Sequence, residues 1–236
     1  MKNKPISRDV LKLIAIVAMT FDHIGWFFVD FYSPTAQIFH FAGRITAPVM
    51  CFFIAEGYIY TSDKRKYALR LFAFALISQL PWWMVHRNFP EPSFNMMFTL
   101  FLCVVAIEVY EKVKEKALRS LLIVLIVFFT VFCDWHIYAV IWTLIFHIYR
   151  ENEKKKLLWF SVVSLCYFAE TCLMSYSTLL SFSLALKYSL YSLGTFMALI
   201  LIMFYSGKKG RRQINKWFFY CYYPAHILII ALINTL

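Results

Sequence analysis

The chain has 236 residues, 61% hydrophobic and 20% aromatic but only 16% charged, with a mean hydropathy of +0.64; soluble globular domains do not reach these values. The formal net charge is +11, from 24 Lys and Arg against 13 Asp and Glu. The basic residues gather in short loops and form no stripe with exposed aromatics, which excludes nucleic acid as the expected partner and points to topology signals and membrane-lipid contacts on a polytopic membrane protein.

In chain order, Lys2, Lys4 and Arg8 precede a first apolar run that has no small-residue cleavage site and carries Asp22 and His23, so it reads as a retained span rather than a signal peptide. Basic clusters recur at 64–70, 112–119, 150–156 and 208–216, and successive clusters are far enough apart for a hairpin of two spans. The polar breaks between them, at 33–34, 86–92, 133–134 and after Glu170, hold few Lys or Arg. With the basic clusters in the cytoplasm, spans fall near 11–31, 38–61, 67–85, 95–110, 118–133, 135–149, 157–172, 188–206 and 217–235. The expected fold is an all-α transmembrane bundle, one domain over 1–236, with the N-terminus inside and the C-terminus outside. Residues 173–187 are apolar enough for a tenth span, but crossing there would put Lys208, Lys209, Arg211 and Arg212 outside. They are therefore expected to form a short outer-face or re-entrant helix.

Six cysteines lie in or beside apolar segments without a C-x-x-C pair. They read as small polarisable core residues rather than a metal site, and no metal is expected; an outer-face Cys133–Cys172 disulfide is open.

Ionisable side chains at membrane depth point to function. Lys12 and His23 are eleven residues apart, roughly three turns and about 16 Å along one helix face, a geometry that suits a long anionic ligand. His23 falls in the outer half of the bilayer, either as a buried histidine satisfied by a neighbour or as a reacting group. Asp22 points about 100° away from it and is assigned as counter-ion to Arg44, which either closes a structural bridge or meets developing negative charge. Glu56 lies one turn before Tyr60 and either closes the cytoplasmic end of a pocket or pairs with Lys64 or Arg65. Lys66 and Arg70 belong to a cytoplasmic basic cluster, where Arg70 is placed to hold phosphates. Gln79, beside Pro81, reads as packing glue or pocket wall. Asp134 stands between the fifth and sixth spans, where it is a candidate for an external acceptor. His226, one turn after Tyr222 and Tyr223 beside Pro224, suggests a second pocket wall, whereas His40, His86 and His147 read as interfacial.

The segments L-K-L-I-A-I-V-A-M-T-F-D-H-I-G, G-R-I-T-A-P-V-M-C-F-F-I-A-E-G-Y, K-Y-A-L-R-L-F-A-F-A-L-I-S-Q-L-P, D-W-H-I-Y-A-V and K-W-F-F-Y-C-Y-Y-P-A-H together resemble the TraX family, membrane proteins associated with N-acetylation of pilin subunits. That family is related to the acyltransferase-3 and heparan-α-glucosaminide acetyltransferase enzymes, whose Arg/Lys-x10-His pattern falls on Lys12 and His23. His136 stands where TraX-like sequences commonly carry glycine. The resemblance implies an acetyltransferase of the bacterial cytoplasmic membrane, moving acetyl from cytoplasmic acetyl-CoA to an external acceptor such as a peptide, glycan or lipid-linked sugar. Lys12, Lys66, Arg70 and Glu56 would serve the donor, His23, Asp22 and Arg44 the chemistry, and Gln79, Asp134, Tyr223 and His226 the pocket. The competing classes are a proton-coupled transporter or flippase using the same residues, and a structural assembly factor; a homo-oligomer is compatible with all three. Reporter fusions after Lys209 and after Leu236 are expected to read cytoplasm and exterior respectively, and an external reading after Lys209 would overturn the topology.

Overall fold

A computed structural model describes residues 4–87, 93–210 and 214–234. Lys2, Arg211, Arg212 and the 88–92 part of the second polar break lie outside the described residues. The helices are α1 (Arg8–Phe28), α2 (Pro34–Gly43), α3 (Thr46–Tyr60), α4 (Lys64–Val85), α5 (Met96–Lys112), α6 (Lys116–Phe129), α7 (His136–Ile148), α8 (Glu153–Leu179), α9 (Phe182–Ser189), α10 (Thr195–Met203) and α11 (Lys216–Ile233). Short 3-10 turns, Thr130–Phe132 and Leu190–Gly194, follow α6 and α9. Among the described residues, five runs are long and apolar enough to cross a membrane: Arg8–Phe28, Pro34–Tyr60, Lys64–Val85, Glu153–Leu179 and Phe182–Met203.

Polar side chains mark where helices begin, because the first turn leaves backbone N–H groups without carbonyl partners. Ser33 accepts from the Ala36 N–H at 3.2 Å with Pro34 behind it. Asp63 accepts from the Lys66 N–H at 2.9 Å, and this bond, with the Lys66 ammonium beside it, holds the Asp63 carboxyl below the usual carboxylate range. Glu115 caps α6 through the N–H groups of Leu118 and Ala117, which lowers its carboxyl in the same way. At the C-terminal end of α3, Lys64 donates to the carbonyls of Thr61 (2.6 Å) and Tyr58, so this member of the 64–70 basic cluster closes a helix C-terminus.

The chain divides into two compact units. The first comprises Met1–Met50 and Leu157–Ile214. Here α1 packs on α2 with glycines at the contact, Gly25 against Phe39 and His40 and Gly43 against Asp22, which lets two membrane helices approach closely. Thr46 donates to the Ala15 carbonyl at 3.0 Å. The segment before α1 pairs with the chain after α10 through Ile6–Phe204 and Ser206–Ile6 backbone bonds of 3.2 and 2.8 Å. The second unit, Cys51–Lys156 with Asn215–Leu236, packs α4 between α5 and α11 and α5 against α7. Trp142, Ile107, Val104 and Ile227 are fully buried there, while Leu76, Leu80, Leu121 and Val124 stay exposed, the distribution of a helix bundle whose solvent is lipid.

Two expectations are corrected. Residues 173–187 do not form one short helix: 173–179 complete α8, and 182–187 open α9. The hydroxyls at the end of α8 are satisfied within the helix, Ser177 and Thr178 donating to the Met174 carbonyl at 2.8 and 3.2 Å. Leu180, at φ 51°, ends α8. Likewise the run expected at 38–61 begins at Pro34 and is broken at Arg44 and Ile45. All six cysteines are free thiols, Cys133 and Cys172 included.

Trp135 and His136 adopt φ of 64° and 40°, left-handed backbone that favours glycine and costs other residues roughly 1–2 kcal/mol. That conformation explains why glycine suits the position His136 occupies. His136→Gly is expected to raise unfolding free energy by about 1 kcal/mol in detergent denaturation; a loss of stability would contradict the strain.

Candidate functional site

The first unit holds a closed ionic cluster. Asp22 on α1, His40 on α2 and Arg44 at the α2 C-terminus are 7%, 0% and 8% exposed. Asp22 Oδ2 accepts from Arg44 Nη2 at 2.6 Å, and Oδ1 lies 2.8 Å from His40 Nδ1. Arg44 Nη1 donates to the Tyr167 hydroxyl on α8 at 2.9 Å, and the guanidinium lies 5.3 Å from the Tyr191 ring centroid. Burying a lone carboxylate costs several kcal/mol, so both oxygens must be met by donors. The His40 ring is enclosed by Trp26, Phe31 and Tyr191, with centroids 4.5, 5.4 and 5.7 Å away.

Glycines make the cluster possible. A Cβ on Gly43 would collide with the Asp22 side chain, and one on Gly194 with the Phe41 carbonyl and, at 3.0 Å, with Arg44 Cβ. The helix break at Arg44 and Ile45 thus delivers Arg44 to Asp22, and the charge lies where irregular backbone is tolerated only inside protein.

His23 follows Asp22 on α1, half-buried, its ring 6.4 Å from that of Phe27. Lys12 is half-buried on the same helix. These two, with Asp22 and Arg44, are the expected site residues that fall in the first unit. His40 is a correction: expected at an interface, it is fully buried. The sequence signal was present, since His40 and Arg44 are four residues apart and share a helix face.

The remaining expected residues fall in the second unit. Gln79 Oε1 accepts from Asn95 Nδ2 at 2.7 Å and Gln79 Nε2 donates to the Ser93 carbonyl at 2.9 Å. Asn95 caps α5, and Tyr223 accepts from the Met96 N–H at 3.2 Å. Asp134 is held through its backbone, its carbonyl accepting from Thr99 at 2.7 Å and its N–H donating to the Phe94 carbonyl at 2.8 Å. His226 Nδ1 lies 3.0 Å from the Tyr222 carbonyl, and its ring stacks on Tyr222 at 5.2 Å. Arg70 lies 5.9 Å from the Tyr67 ring centroid, while exposed Lys66 pairs with Asp63 at 3.2 Å. Glu56 is half-buried on α3. A further polar group not anticipated joins Tyr58 to Glu108, Glu108 to Lys112 and, at 2.6 Å, His147 to Glu111.

Residues 7–234 match the family described as TraX protein. The chain is 30% identical to a probable fimbrial assembly protein FimC, serogroup H1, of Dichelobacter nodosus, over 98% of this chain and 96% of that one. It is 32% identical to the uncharacterized protein RP591 of Rickettsia prowazekii (strain Madrid E), over 43% of this chain and 36% of that one. No solved structure matches at a significant level.

Asp22→Ala is expected to lower unfolding free energy by about 3 kcal/mol or more, because it strands the buried Arg44. Adding Arg44→Met should recover at least about 1 kcal/mol of the summed losses. Strict additivity in a denaturation cycle would show that the two side chains do not depend on each other.

Proposed function

The chain belongs to the TraX family, and on that premise we propose that it is a transmembrane acetyltransferase, moving an acetyl group from cytoplasmic acetyl-CoA to an acceptor at the outer face. The observation that carries the proposal is the run of α1, one uninterrupted helix that bears Lys12 near its start and His23 directly after the anchored Asp22. We extend the kinship to the acyltransferase-3 and heparan-α-glucosaminide acetyltransferase enzymes on the same Lys12 and His23 spacing. The proposed topology has nine spans, counting Pro34–Tyr60 and Phe182–Met203 as one each, in a bacterial cytoplasmic membrane with the N-terminus inside.

In this reading Lys12 meets a phosphate of the donor substrate by charge, a role its half-buried position fits, since an ammonium near a helix start keeps access to the interface. Lys66 is a weaker candidate because it is exposed and engaged with Asp63. His23 takes the proton of the acceptor amine or hydroxyl, or carries the acetyl group itself. Asp22 is committed to Arg44 and His40 and acts by fixing the cluster beside His23 rather than by moving protons.

A second reading, an assembly factor without catalysis, is supported by the printed name of the Dichelobacter relative. Saturable calorimetric binding of acetyl-CoA to the purified protein favours the enzyme; its absence favours the assembly factor or a transporter.

The kinetic variants separate the two α1 residues. His23→Ala is expected to lower turnover by roughly 10² to 10⁴ while acetyl-CoA still binds. Lys12→Ala should raise the Michaelis constant for acetyl-CoA with turnover nearly kept, less so for Lys12→Arg, which retains the charge. Wild-type transfer by His23→Ala, or lost turnover in Lys12→Ala with unchanged donor binding, would refute these roles.

A further inference from the structure

The hydrogen-bond chain that begins at His40 and Asp22 continues past Arg44 to the hydroxyl of Tyr167. Asp22, His40 and Arg44 are buried, whereas Tyr167 is half-buried, so the chain leads from a closed cluster to a less enclosed side chain. Arg44 cannot swing away from this contact without giving up its 2.6 Å bond to Asp22. A phenol oxygen that accepts from a guanidinium turns its own O–H away from that donor. The cation also draws charge from the oxygen, making the O–H a stronger donor.

In the proposed topology the depth of Tyr167 matches that of His23. Tyr167 is fourteen residues beyond Glu153 at the start of α8, and His23 is fifteen beyond Arg8 at the start of α1, rises of roughly 21 and 22 Å. Both helices start beside basic clusters, at 150–156 and 2–12, which the proposed topology puts on the same side of the membrane.

We propose that the Tyr167 hydroxyl donates to the acetyl carbonyl oxygen during transfer, a role that rests on the acetyltransferase reading. A lone pair of the acceptor nitrogen or oxygen bonds to the carbonyl carbon while His23 takes the acceptor's proton. The carbonyl π pair moves onto its oxygen, where the negative charge meets the Tyr167 O–H. When the carbonyl re-forms, the carbon–sulfur bond breaks and the sulfur leaves with the proton that His23 returns. The products are the acetylated acceptor and the free thiol. A fixed donor aimed at developing charge needs no reorganisation at the moment of reaction, which is why such groups are effective in a water-poor site.

The test uses the full-length purified protein. Tyr167→Phe is expected to lower turnover by roughly 10² to 10³, while the calorimetric Kd for acetyl-CoA stays within about twofold of wild type. Tyr176→Phe, on the exposed part of the same helix, should match wild type. Full turnover in Tyr167→Phe, or a weakened Kd with turnover kept, overturns the assignment and leaves the acetyltransferase reading standing. Wild-type protein that neither binds acetyl-CoA nor transfers acetyl overturns both. If Tyr167→Phe does not fold, 3-fluorotyrosine at 167 keeps the hydroxyl and reports on it directly. Its fluorine resonance should move when acetyl-CoA saturates the protein, and an unmoved resonance with calorimetrically bound acetyl-CoA overturns the proposal.

Discussion

An ionised carboxylate inside a membrane protein must be matched on both oxygens, and Asp22 imposes that requirement on the first unit. Arg44 meets one oxygen and His40 the other, at 2.6 and 2.8 Å. Much of the local backbone serves this match. Gly43 is bare where Asp22 enters, the second helical run breaks so that Arg44 can turn inward, and Gly194 leaves room for the chain at Phe41 and Arg44. The desolvation penalty of such a group exceeds what a single ion pair returns. A cluster of this kind is therefore better understood as a device for holding side chains in place than as a source of stability.

What it holds in place explains the functional proposal. His23 is the residue after Asp22, so the rotation of α1 about its axis, and with it the direction of the His23 side chain, is set by the Asp22 bonds. A proton acceptor at membrane depth needs such restraint, because small misplacements of reacting groups cost orders of magnitude in rate. In the second unit the polar groups around the start of α5 are satisfied differently, through Gln79, Ser93, Asn95 and Tyr223. That network is neutral and built largely on backbone groups, with Asn95 capping its own helix.

Hydropathy and the alternation of basic clusters made the helical runs legible, since the cost of exposing backbone to lipid leaves few alternatives to helices. Asp22 and Arg44 were legible as partners because two opposite charges at membrane depth have few other places to go. Tyr167 was not. It is one of 15 tyrosines, and its 123-residue separation from Arg44 leaves no local pattern to read. His40 reads as interfacial from its distance to a span end and is instead fully buried, as its four-residue spacing from Arg44 allows. The extension of α8 through Ser177 and Thr178 was not legible because charge counting, not hydropathy, set 173–187 apart from the span before it, and charge counting places loops without fixing where a helix ends.

The central claim is that the ordered α1 face carries an acetyl group across the membrane. It is tested most directly in sealed vesicles with labelled acetyl-CoA inside, the purified protein in the wall with its basic loops inward, and acceptor peptides and amino sugars outside. The account predicts label on an external acceptor with the wild-type protein and none above background with His23→Ala. Equal labelling by the two proteins, or no labelling by wild-type protein that is folded and binds acetyl-CoA, would contradict it.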